Sequence, residues 1–134
     1  MDATEVLKQK LPGFAGYAAL EQRRLTDEEV RAYLGERLAG LSVRLEPTGP
    51  TAERLDALIL RAEFTNQMAF RNIESTNLDA AQTETIATAD LAAVELADRA
   101  DSVFDVDMLP SYLDAAEAAL NARDSAMESG GNSR

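Results

Sequence analysis

Thr26-Asp27-Glu28-Glu29-Val30-Arg31-Ala32-Tyr33-Leu34-Gly35-Glu36-Arg37-Leu38-Ala39-Gly40-Leu41-Ser42-Val43-Arg44-Leu45 decides the fold class. Its apolar residues Val30, Leu34, Leu38, Leu41 and Leu45 are spaced 4, 4, 3 and 4 apart. That is one stripe of a 3.6-residue period, the mark of a helix with one buried face. Thr26-Asp27-Glu28-Glu29 has the form of a capping box, which predicts a helix from about Thr26, with an earlier turn over residues 18–24 as an extension. Glu46-Pro47-Thr48-Gly49-Pro50 is a firm stop. Asp27 and Arg31 form an i,i+4 pair, worth a few tenths of a kcal/mol on a solvated helix.

The same period recurs outward in both directions. On the N-terminal side, residues 4–11 predict a short helix ended by Pro12-Gly13. The segment Pro12-Gly13-Phe14-Ala15-Gly16-Tyr17 predicts a turn whose rings pack back on the body. On the C-terminal side, a second long helix is expected over residues 51–75, roughly 36 Å long. One of its faces carries Leu55, Leu58, Ile59, Ala62, Ala69, Phe70 and Ile73. A second stripe, Leu60, Phe64 and Met68, lies on the opposite side. A helix apolar on two sides is expected to be central in its bundle or covered by a second subunit.

A third helix is expected from the capping pattern Thr76-Asn77-Leu78-Asp79 to about Val103. Its stripe is Ile86, Ala89, Ala93, Leu96, Ala97, Ala100, Val103 and Phe104, and its small residues allow close backbone approach. A fourth runs from about Met108 to Met127 with Asp107 as N-cap and Pro110 in the tolerated first turn. Leu109, Leu113, Ala116, Leu120, Arg123 and Met127 follow the helical period. No strand-like alternation and no internal repeat is present. Four long helices with short connections predict an all-α, antiparallel up-down bundle with a short N-terminal helix. The 134 residues suit one domain, expected over residues 1–128 with a flexible tail over 129–134.

Composition narrows the chemistry. There is no cysteine and no histidine, which excludes disulfides, thiolate and imidazole metal sites and Ser–His–Asp triads. No glycine-rich phosphate loop follows a strand, and no base is placed beside a Ser or Thr. The expectation is no enzyme and no cofactor. Net charge is −11, with −1 in residues 1–50 and −10 in residues 51–134. Such a surface repels phosphate backbones and anionic lipid, so neither nucleic acid nor membrane is expected as a partner. The N-terminus has no apolar h-region and no stretch approaches a membrane span, so a cytoplasmic location is expected.

A few residues break the bland pattern. Asn66 sits about 20° from the centre of its apolar stripe, and Asp90 about 40° from Ile86. A carboxylate buried without a donor is costly, so Asp90 should join a hydrogen-bond network. Arg23, Arg24, Arg71 and Asn66 are the candidate partners, and such a network would set helix register. The acidic run Asp98, Asp101, Asp105 and Asp107 could hold a divalent cation, but it lacks the Gly and final Glu of an EF-hand loop. Helix capping and a solvated face explain it more simply, and no metal site is assigned. Glu21-Gln22-Arg23-Arg24 is the densest basic spot. It could take an anion, though surface ion pairs are the commoner use.

The segment Leu11-Pro12-Gly13-Phe14-Ala15-Gly16-Tyr17, followed by Glu21-Gln22-Arg23-Arg24 and a charged helix, resembles a family of uncharacterised bacterial small helical-bundle proteins. Its members carry Leu-Pro-Gly-aromatic-x-Gly-Tyr and then Glu-x-Arg-Arg near the N-terminus. They also carry an Asp in a later long helix, where Asp90 would align. Where they often have Lys after Gly-Tyr, this chain has Ala18-Ala19. The resemblance implies a bundle and no activity. The functional expectation is a protein-interaction module, namely a scaffold, adaptor or regulatory subunit. A homodimer through Leu60, Phe64 and Met68 is one form it could take. The alternative is a small-ligand or metal-binding bundle with a polar pocket around Asp90 and Asn66.

Overall fold

Short polar side chains set where the helices start. The computed structural model describes residues 2–74 and 77–132, and every regular element among them is helical. The first helix, α1, spans Ala3–Lys10; the Asp2 carboxylate caps it, accepting from the Glu5 N–H at 2.9 Å. The turn after it passes through Gly16, whose φ of 84° lies in the left-handed region that suits glycine. Phe14 and Tyr17 pack edge to face within it, ring centroids 5.7 Å apart.

Helix α2 spans Leu20–Leu45 without interruption. The helix takes in most of the earlier turn expected over residues 18–24, so Thr26 is not its start but a buried residue within its second turn. Its hydroxyl donates to the Gly16 carbonyl at 2.8 Å and accepts from the Ala15 N–H at 3.3 Å, holding the preceding turn against the helix. With the turn docked, the helix begins a turn and a half earlier. There the Gln22 side chain accepts from the Ala19 N–H at 2.9 Å.

The long second helix of the sequence reading is two helices. Helix α3 spans Gly49–Glu63 and α4 spans Gln67–Glu74, with Phe64 in extended backbone between them. The period predicted continuity because it registers only apolar spacing. The break comes from polar groups that the fold draws in. Arg31 of α2 donates to the Ala62 carbonyl at 3.2 Å, satisfying an acceptor at the end of α3. Asn66 restarts the helix as an N-cap, accepting from the Ala69 N–H at 3.1 Å.

Helix α5 spans Ala80–Asp98. Asp79 and Gln82 cap it reciprocally, each side chain meeting the other's N–H at 2.8 Å. The Thr76 start lies outside the described residues. Two 3-10 turns, Arg99–Ser102 and Val106–Met108, lead to α6, Leu109–Asn132. Asp105 rather than Asp107 accepts from the Met108 N–H, at 3.2 Å. Helix α6 continues to Asn132, past the Ser129 where a tail was expected.

Helix α5 packs against α6, α2 and α1. Its buried residues Ile86, Ala87, Ala89, Asp90, Ala93, Val94, Leu96 and Ala97 form one broad face of about 180°, and the alanines let its neighbours close in. The α3–α4 pair is not central. Its second stripe is open, Leu60 being 57%, Phe64 65% and Met68 77% exposed. Phe104, placed in the α5 stripe by spacing, is also exposed, because α5 ends before it. No helix among the described residues is long and apolar enough to cross a membrane.

Asn66→Ala removes the cap on α4. It should lower stability by about 1 kcal/mol in urea denaturation. An unchanged midpoint would show that α4 does not depend on this cap.

Candidate functional site

Two carboxylates and two guanidinium groups meet inside the helices. Asp27 and Arg31 lie one turn apart on α2, beside the Val30–Leu34 stripe. Asp90 lies one turn from Ile86 on α5, and Arg123 between Leu120 and Met127 on α6. All four are buried, with Asp90 3% and Arg123 5% exposed. Arg123 stands at the centre. Its Nε donates to Asp90 Oδ1 at 2.7 Å and its Nη2 to Asp27 Oδ1 at 2.7 Å.

The remaining oxygens are also occupied. The Tyr17 hydroxyl donates to Asp90 Oδ2 at 2.6 Å. Arg31 Nε and the Thr65 hydroxyl donate to Asp27 Oδ2 at 2.9 and 2.8 Å. Arg31 Nη2 donates in turn to the Thr65 oxygen at 2.8 Å. One network thus joins the N-terminal turn, α2, the α3–α4 break, α5 and α6.

Protonation follows from this arrangement. Burial alone would lift the Asp27 carboxyl, but Arg123 and Arg31 hold it below its ordinary value of 3.8. Burial pushes Asp90 above 3.8, and Arg123 and Tyr17 oppose that without cancelling it. Burial also opposes the charge on Arg123, yet its two carboxylates raise its pKa further, so it stays protonated. Burial, then the Asp90 charge, drives the Tyr17 hydroxyl well above its usual range.

Asp90 is buried and networked as the spacing predicted, but the four proposed partners do not bind it. Arg23 is buried elsewhere, donating to the Tyr17 and Ile73 carbonyls, both at 2.7 Å. Arg24 is exposed and faces Glu74 at 3.5 Å. Arg71 is exposed. Asn66 caps α4 at the surface and donates to Asp124 at 2.9 Å. The true partner, Arg123, occupied an apolar position of its stripe, and a charge at a core position was the missed signal. Tyr17 and Thr65 left no such trace, because their contacts depend on how distant segments meet.

The acidic run is dispersed. Asp98 accepts from Lys10 at 2.7 Å and from the Tyr33 hydroxyl, while Asp101, Asp105 and Asp107 are exposed. Among the described residues, no three carboxylates are grouped so that they could hold a metal ion.

Above the network opens a cleft of about 400 Å³ between α3 and α6. Asp27, Arg31 and Arg123 form its floor, Leu120 and Met127 one wall, and Leu60 and Phe64 the rim. Asn66 lies at its mouth, whereas Asp90 is behind Arg123 and does not line it. Comparison with protein-family models, with curated proteins and with solved structures finds no match.

Asp90→Leu leaves Arg123 Nε and the Tyr17 hydroxyl without their acceptor and the network one negative charge short, and should cost about 3–5 kcal/mol. Because Arg123→Met also takes the donor from Asp27 Oδ1, the double variant should lose less than the sum of the two single losses in denaturant titration; additive losses would contradict the Asp90–Arg123 pairing. The two carboxylates have opposite pH signatures. Asp27, with its lowered pKa, stabilises above pH 3.8, and that contribution is lost as pH falls through the lowered value. Asp90, with its raised pKa, contributes below pH 3.8 and loses that contribution as pH rises through the raised value. Melting temperature against pH should therefore lose part of its acid-side fall in Asp27→Asn. In Asp90→Asn it should lose part of the decline on the other side. The salt-screened Asp98–Lys10 pair is removed from the comparison by working at high ionic strength.

Proposed function

We propose that this chain is an antiparallel up-down helical bundle acting as a non-enzymatic protein-interaction module, with Leu60, Phe64 and Met68 as its binding face. The connection between α2 and α3 is residues 46–48, and the two helices pack together. So short a link between packed helices favours opposite directions.

The observation that carries the interaction reading is the exposure of three large apolar side chains along one side of the α3–α4 break. Water contact at such a cluster is unfavourable, and a partner that covers it gains roughly 25 cal/mol per Å² of apolar surface removed. The polar chemistry nearby is already committed. Both oxygens of Asp27 and of Asp90 accept hydrogen bonds from within the chain, which favours a structural role over a catalytic one. The partner is another polypeptide or a second copy of the chain, twofold pairing being the commonest arrangement for the latter.

A photo-crosslinking residue at Phe64 should capture a polypeptide in cells. The same residue at Val43, which is 80% exposed on α2, should capture far less. Mass spectrometry of the adduct tells self from another protein. Equal capture from both positions, or none from position 64, would overturn the proposal.

A further inference from the structure

Arg123 is 5% exposed, yet its guanidinium is not fully used. Nε serves Asp90 and Nη2 serves Asp27, while Nη1 donates to no acceptor among the described residues. Every fully buried side-chain nitrogen and oxygen among the described residues has a partner. Nη1 must therefore reach solvent, and the solvent it meets is in the cleft that Arg123 lines. A donor with two free N–H bonds lies at the bottom of a largely apolar recess.

Charge decides which acceptor fits. Arg31 and Arg123 are balanced by Asp27 and Asp90, and at the mouth Arg61 is paired with Asp124 at 3.0 Å. A ligand carboxylate would add an uncompensated charge next to Asp27 and Asp124, in a chain already at −11. An uncharged oxygen would take the free N–H bonds without that repulsion. The walls and rim, Leu60, Phe64, Leu120 and Met127, would cover an aliphatic group beside it.

We propose that the cleft takes one aliphatic side chain of a partner polypeptide together with the adjacent main-chain carbonyl, which accepts from Arg123 Nη1. This rests on the interaction reading for its protein partner, and adds the chemistry by which that partner is recognised.

Nuclear magnetic resonance of the full chain tests it with two small probes. N-acetyl-leucine amide carries the side chain and neutral carbonyls, and N-acetyl-leucine replaces the amide with a carboxylate. The amide should shift backbone signals of residues 57–66 and 120–127, with the low-millimolar affinity usual for so small a ligand. The carboxylate should bind several-fold more weakly. Phe64→Ser, a change at an exposed position that spares the fold, should weaken the amide about tenfold. Val43→Ser should leave it unchanged. Tighter binding of the carboxylate, absence of shifts in these segments, or indifference to Phe64→Ser each overturns the proposal. Probe binding without capture of a polypeptide at position 64 refutes the interaction reading and, with it, the protein occupant. Capture without probe binding refutes the recognition chemistry alone.

Discussion

Two buried carboxylates, contributed by helices that are far apart in sequence, must share one guanidinium. Asp27 and Asp90 both bind Arg123 at 2.7 Å, in an interior otherwise built from Leu, Ala, Val and Ile. A charge in such surroundings is tolerated only when its hydrogen bonds are complete. The relative placement of α2, α5 and α6 is therefore not free. A slide of one helix by a turn would preserve apolar contact and still leave a charge without a partner. Apolar burial drives these helices together, while the network selects which of several packings is reached.

The same requirement explains the interruption between α3 and α4. Asp27 has an oxygen beyond what Arg123 can fill, and Arg31 and the Thr65 hydroxyl complete it. Thr65 lies in that break and reaches Asp27, while Arg31 satisfies the carbonyl left at Ala62. Phe64 stays outward at the break, on the rim of the cleft above Arg123. Internal charge pairing and the exposed apolar rim are consequences of one local geometry, which is why the interaction face and the polar network lie side by side.

Strong negative charge has a part in this arrangement as well. Most of the net −11 lies in residues 51–134, spread over surfaces that remain in water. The cleft departs from that trend, since its Arg31, Arg61 and Arg123 are balanced by Asp27, Asp124 and, behind Arg123, Asp90. A neutral recess on an acidic body favours a partner by shape and hydrogen bonding, with long-range attraction reserved for basic regions elsewhere on that partner.

The sequence by itself determined the helical class, the apolar stripes of α2, α5 and α6, and the burial of Asp90. Each of these follows from the 3.6-residue period, a property local to one segment. The exclusion of cysteine and histidine chemistry was equally legible, since it depends on composition alone. Only the tertiary structure decided that Arg123 answers Asp90, that Thr26 lies within a helix, that Asn66 caps a break at the surface, and that the second stripe of α3 and α4 stays open. Those outcomes depend on contacts outside the helix concerned, the Arg123 bonds to Asp90 and Asp27 spanning 33 and 96 residues of chain. Spacing along one helix carries no record of what the neighbouring helix presents to it, and a polar residue's partner is chosen by that neighbour.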